Sequence, residues 1–179
     1  MKIGFSAANI TPSYGMERPG GTGKAYHQGI HDDCWASACV LGEGEGAIAI
    51  VGLDTLSVKR SVVNAAREII TAATGIPAHH VMVGASHTHS GGPIAEGAFA
   101  SAADPGYLTH VARQIATAVI DAHRRAEDLH IGIGTGQAPG VAHHRRWYLK
   151  DGTIWSHPGH QRQQDMDRPH GELDPTVGV

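Results

Sequence analysis

The sequence predicts an α/β fold, a mixed β-sheet sandwich flanked by helices, present over residues 1–179 as an incomplete domain. Three observations predict it. Short apolar runs at 2–8, 34–41, 47–53, 80–85 and 129–134 read as strands. Two longer stretches, 57–74 and 104–125, repeat apolar residues at helical spacing. Strands and helices alternate along the chain instead of segregating, which favours helices layered on a sheet.

The elements follow in order. Lys2 to Ala8 is a short strand that Thr11-Pro12 stops. Residues 13–30 form a Gly/Pro-rich loop, either functional or mobile. Cys34 to Leu41 and Ala47 to Leu53 make a hairpin around Gly42-Glu-Gly-Glu-Gly46. Ser57 to Thr74 is a helix, with Val58, Val62, Ala65/Ala66, Ile69 and Ala73 on one face and Gly75 and Pro77 ending it. His80 to Ala85 is the next strand, so 47–85 is expected to be a right-handed β-α-β crossover. A flexible Gly/Ala/Ser segment (91–103) leads to a second helix, capped by Asp104 with Pro105 in its first turn. Leu108, Val111, Ile115, Val119 and Ala122 are its apolar stripe. Leu129 to Gly134 alternates as a strand that would make a second crossover, and Trp147 to Trp155 is a hairpin turning at Asp151-Gly152. Residues 156–173 are polar and aperiodic, an irregular segment. An apolar run begins at Asp174-Pro-Thr-Val177 near the end of the sequence.

Composition narrows the function. The chain suits one domain, and with 41% apolar but only 5% aromatic residues its core must be aliphatic. A net charge of −3 gives no basic surface for nucleic acid or anionic lipid. Cys34 and Cys39 are five residues apart on one strand, hence on opposite faces, and are expected to be free thiols. No apolar leader pattern or membrane-spanning run occurs, so a cytoplasmic location is the expectation. Fourteen histidines in such a chain ask for chemistry.

The clearest motif is Ser86-His-Thr-His-Ser-Gly-Gly92, delivered by the strand before it. Alternate residues of an extended chain face one way, so His87 and His89 could share a metal ion, or one could bind it while the other supports. A pair of hydrogen-bonded surface histidines is the competing reading. The pattern lacks the His-x-His-x-Asp-His of metallo-β-lactamases. Too little chain follows His89 for the rest of a roughly 250-residue TIM-barrel amidohydrolase. Asp54 ends its strand much as His87 does; it either joins the site or caps the following helix. Gly29-Ile-His31-Asp32-Asp33 offers a histidine and two carboxylates, with capping as the alternative. Arg145-Arg146, after His143-His144, could bind a carboxylate or an oxyanion, or be a solvated turn. His79-His80 reads as loop, and His157, His160 and His170 as part of a polar segment.

Taken together, these blocks resemble the N-terminal part of the neutral/alkaline ceramidase family. The matching residues are Gly4-Phe-Ser-Ala-Ala-Asn-Ile-Thr-Pro12, Gly29-Ile-His-Asp32, Ala36-Ser-Ala-Cys-Val40, Gly52-Leu-Asp54, Ser86-His-Thr-His-Ser-Gly91, Arg145-Arg146 and Leu149-Lys-Asp-Gly152, in that order. The Asp174-Pro-Thr-Val177 tail is similar to uncharacterised bacterial members. The resemblance implies a Zn²⁺-dependent hydrolase that cleaves the amide of ceramide or of a smaller lipid or small-molecule amide. It implies that His87 is a zinc ligand, that His89 is an active-site neighbour, and that Arg145 contacts a substrate or transition-state oxygen. Arg146, His31 and Asp54 join Arg145 as candidate substrate contacts. His144 stands where the family usually has Asn. The family's remaining ligands (His, Glu and Tyr) and its serine nucleophile would fall beyond Val177, so residues 1–179 are expected to be inactive alone. The alternatives are a non-catalytic α/β domain and a histidine-rich metal-binding module.

Overall fold

The computed structural model describes residues 1–95 and 102–179, and the chain divides into two compact units, Met1–His130 and Ile131–Val179. The larger unit is α/β, as expected. Its sheet has the order β4-β3-β2-β1-β5, with β1 Lys2–Asn9, β2 Trp35–Leu41, β3 Ile48–Leu53, β4 Val81–Ala85 and β5 Glu127–Asp128. Helix α1 spans Arg60–Thr74 and α2 Pro105–Arg124. β2 and β3 form the expected antiparallel hairpin, and β3 runs parallel to β4 through α1. The alternating strands bury Ala36, Ala38, Val40, Ala49, Val51 and Leu53 on one face, where they join Val62, Ala66 and Ile70 of α1 and Val111, Ile115 and Val119 of α2 in one core. The other face carries the in-register row Phe5, Cys39, Ile50 and Met82, in which Phe5 and Met82 are well exposed.

Helix ends follow local chemistry. The Asp104 carboxylate accepts from the Tyr107 N–H at 2.7 Å, with Pro105 at the first helical position. Gly75 closes α1 in the left-handed region at φ 76°. The start of α1 differs from expectation: Ser57 to Lys59 stay outside the helix. Its buried stripe is Val62, Ala66 and Ile70, while Ile69 points outward.

The expected strand at 129–134 does not form. Only Glu127–Asp128 pairs with β1, and it does so antiparallel, so α2 makes no second parallel crossover. The Leu129 N–H still donates to the Met1 carbonyl at 3.1 Å, after which the chain leaves the sheet, and Ile133 is 92% exposed. Among the described residues no helix is long and apolar enough to cross a membrane.

In the smaller unit, β6 Thr135–Gln137 pairs with β10 Thr176–Gly178. β7 Arg146–Leu149 and β8 Ile154–Ser156 form the expected hairpin, with Trp147 opposite Trp155. Its turn is held by Asp151, which accepts from the backbone and hydroxyl of Thr153 at 2.9 and 2.6 Å, and by Gly152 at φ 84°. Residues 156–173, expected to be irregular, contain one helical turn, α3 Gly159–Arg162, and β9 Met166–Pro169, which pairs with β7. Aperiodic polar sequence hid this strand because neither of its faces is deeply buried.

Tyr107 fastens α2 to the chain after β1. Its ring is buried and its hydroxyl donates to the Ile10 carbonyl at 2.6 Å. Burial, then the neighbouring Cys34, holds the phenol well above its usual range, so it stays a donor. Tyr107→Phe is expected to lower stability by about 1–2 kcal/mol, since it strands a buried carbonyl. A urea midpoint equal to that of the parent would remove this bond from the account.

Candidate functional site

Parallel strands that end together create the candidate site. Leu53 lies opposite Ala85, and the Ser86 N–H extends the ladder by donating to the Leu53 carbonyl at 2.8 Å. The two chains then leave the sheet as Asp54 and as the His-Thr-His segment. Ligands of open α/β sheets gather at such carboxyl ends.

Asp54 does not cap the helix, whose N-cap is Lys59. The Asp54 N–H donates to the Trp35 carbonyl and its Oδ2 accepts from the Trp35 N–H, both at 3.0 Å. It thereby closes the β2–β3 hairpin and also forms part of a cleft wall.

His87 sits in the left-handed region at φ 62°, a conformation that costs a non-glycine residue about 1–2 kcal/mol. Its Nδ1 is 2.7 Å from the Leu56 carbonyl. A carbonyl only accepts, so Nδ1 carries a proton, and in the neutral ring the lone pair is then on Nε2. Imidazoles that bind metals are held in this way by a backbone acceptor. The His89 ring lies edge-on to that of His87, with centroids 5.1 Å apart and planes at 80°. The structure therefore brings the two imidazoles side by side.

The 13–30 loop closes against this segment. Backbone bonds from Gly15 to His27, His27 to Met16 and Arg18 to Ala25 give it a hairpin-like shape. Gly20, at φ 99°, rests on His89: a Cβ there would come within 2.7 Å of the ring. His27 Nε2–H donates to the Gly91 carbonyl at 3.1 Å. Sequence reasoning missed His27, which sits in an aperiodic loop with no partner nearby in sequence. The two glycines after Ser90 are packing requirements. A Cβ at Gly91 would meet the Asp54 carbonyl oxygen at 2.7 Å, and one at Gly92 would meet the Tyr107 ring at 2.2 Å.

Loop and strand ends enclose an open cleft of about 850 Å³, walled by Arg18, Lys24, His27, Asp33, Asp54 and Ser90 among others. His31 is on its rim, 96% exposed, with Nδ1 2.7 Å from Asp32. Thr88 and Ser90 face this cleft, while the alternate residues His87 and His89 are not part of its wall. His31 and Asp54 both border this cleft. Cys34 also borders the cleft. Burial, then Asp54 and Asp33, pushes its thiol up, so it is a poor nucleophile at neutral pH. Both cysteines are free, as expected.

Arg145 and Arg146 belong to the smaller unit. Arg145 Nε–H donates to His157 Nδ1 at 3.1 Å, and Arg146 pairs with Ser156 in the hairpin. Trp147 Nε1–H donates to the His144 carbonyl at 2.9 Å. Among the described residues, no three His, Cys, Asp or Glu side chains converge as a metal site. Glu96, within the expected flexible segment, lies outside the described residues, as do the other residues up to Ser101.

No family model matches the chain, and no curated protein matches it. Solved structures do. A ceramidase complexed with C2 superposes at a TM-score of 0.69 with 21% identity, over 80% of this chain and 24% of that one. A neutral ceramidase from Pseudomonas aeruginosa gives a TM-score of 0.69 with 18% identity, over 99% of this chain and 28% of that one. The chain therefore spans about a quarter of the length of these ceramidases. By fold it is a ceramidase-like α/β region, as the order of its sequence blocks implies.

Proposed function

We propose that this chain forms part of a zinc-dependent hydrolase that cleaves an N-acyl amide, of a lipid or of a smaller molecule. The observation that carries this reading is the His87 imidazole, tied through Nδ1 to Leu56 with Nε2 free. Neutral imidazole suits Zn²⁺. The residues present fit part of such a centre: His87 as ligand, with His89 beside it as a catalytic neighbour or further ligand. Bound there, zinc would act as a Lewis acid toward a carbonyl and make water nucleophilic at neutral pH. His31 and Asp54 would hold the polar end of the substrate at the cleft, and Arg145 and Arg146 would hold a substrate oxygen.

A second reading, a non-catalytic α/β domain, is favoured by one observation: the described residues bring together fewer than three metal-binding side chains. One assay separates the two. The protein in full is offered a short-chain N-acyl sphingosine and a small N-acyl amide. Release of the carboxylic acid that stops with a chelator and returns with Zn²⁺ is expected. Turnover indifferent to chelation would end the zinc reading, and absence of turnover on any amide would favour the non-catalytic one. Residues 1–179 alone are expected to take up Zn²⁺ without turnover; hydrolysis by them would show that the site is complete within this chain.

A further inference from the structure

The open end of the β7–β8 hairpin carries a reciprocal lock. One step beyond the Arg146–Ser156 pair, the His157 backbone N–H donates to the Arg145 carbonyl at 2.9 Å. In return, Arg145 Nε–H donates to His157 Nδ1 at 3.1 Å. The Ser156 hydroxyl lies 3.5 Å from the same nitrogen. A guanidinium can only donate, so Nδ1 is the acceptor and the imidazole proton resides on Nε2. His157 holds this place with φ at 57°, in the left-handed region that few non-glycine residues enter, although histidine, like Asn and Asp, does so more often than most. The residue is exposed, so no core packing demands either the strain or the histidine. Strain kept at an exposed polar residue points to a role for that residue.

We infer that His157 is a positioning residue that holds the Arg145 guanidinium as an end-on fork for a carboxylate or developing oxyanion. The inference rests on the reading that Arg145 binds a substrate oxygen. With Nε–H committed to His157, the side-on approach through Nε and Nη2 is closed. Nη1 and Nη2 remain as the parallel pair of donors that matches two oxygens on one carbon. A long side chain otherwise samples many rotamers, and the lock removes that freedom before the ligand arrives. Lysine could not substitute, because it has no second donor group to anchor while the first binds.

The test uses the full 179-residue chain, ¹⁵N-labelled, with acetate as the probe and the Arg145 Nε–Hε signal as the reporter. The Trp147 and Trp155 indole signals report that the hairpin is intact. Saturable acetate binding is expected in the parent and should vanish in Arg145→Ala. His157→Gly keeps the left-handed backbone and deletes the acceptor. It should raise the acetate Kd severalfold and move the Arg145 Hε resonance toward that of a free arginine. His157→Asn tolerates the backbone and supplies a carbonyl acceptor, and should recover most of both. If Arg145→Ala binds acetate as well as the parent, or the parent shows no saturable binding, the Arg145 reading fails. If Arg145→Ala loses acetate while His157→Gly binds it as the parent does, Arg145 stands and the role of His157 is overturned.

Discussion

Replacing His87 is expected to lower the affinity of the chain for Zn²⁺ by more than about tenfold, since loss even of a partner that only supports a ligand costs about 10–100-fold. The choice of substitute matters, because His87 has a left-handed backbone. Alanine would add conformational strain to the loss of the imidazole. Asparagine tolerates that region and removes the ligand alone. His87→Asn should therefore leave the melting transition near that of the parent while zinc uptake, measured by calorimetry, is lost. His89→Ala should weaken uptake less, because its ring is not held by a carbonyl of the strand-end loop as His87 is. Unchanged zinc stoichiometry in His87→Asn would remove His87 from the ligand set. Equal losses in both variants would make His89 a ligand of equal standing.

Gly4→Ala is expected to be the most damaging small change in the fold. A Cβ at this position would lie 1.8 Å from the Ala122 carbonyl oxygen and 3.1 Å from the Ala126 Cα. Both obstacles are backbone, so no side-chain rotation relieves the overlap, and β1 would have to lift from the last turn of α2. Overpacking of a close-fitted interior costs about 1–3 kcal/mol and sometimes more, and this site should reach about 3 kcal/mol. Gly52→Ala is the internal control: it is also a strand glycine, but nothing lies within 4 Å of its added carbon. That variant should fall within about 0.5 kcal/mol of the parent, as surface changes usually do. Urea unfolding of the pair measures the contrast, and equal midpoints would mean that β1 and α2 do not approach so closely.

Much of this architecture was legible in the sequence, for identifiable reasons. The Gly42–Gly46 turn between two apolar runs specified the β2–β3 hairpin. Asp104-Pro105 and Gly75 marked helix ends, since capping is local chemistry that distant contacts seldom override. Leu129, Ile131 and Ile133 alternate like a strand yet form none, because a strand also needs an edge to pair with. β9 shows the converse: Met166–Pro169 has no strand pattern and pairs because β7 offers a free side. Within the candidate site, the nearness of His87 and His89 followed from their spacing. That His31 and Asp54 border one cleft did not, because it depends on how the 13–30 loop folds back. The helix cap weighed for Asp54 does not form; its carboxylate accepts from Trp35, on a neighbouring strand that only tertiary pairing supplies. His27, Gly20 and the His157 lock were invisible for the same reason: each acts through a residue distant in sequence or through a backbone angle.

The two units differ in how their order is held. In the larger one, interlocked aliphatic side chains tie β1 to β4 and the two helices into one core. Among the described side chains of the smaller one, only Leu149 and Pro158 are buried. Its strands rest on backbone ladders and on cations seated over rings, Arg162 over Trp155 at 4.8 Å and Arg168 over Tyr148 at 4.5 Å. Apolar burial makes opening cooperative, whereas polar and stacked contacts can be released one at a time. Amide exchange should therefore be graded along Ile131–Val179 and concerted within Met1–His130. The arginine pair would then stand on the more yielding part of the chain, and the histidine pair on the firmer one.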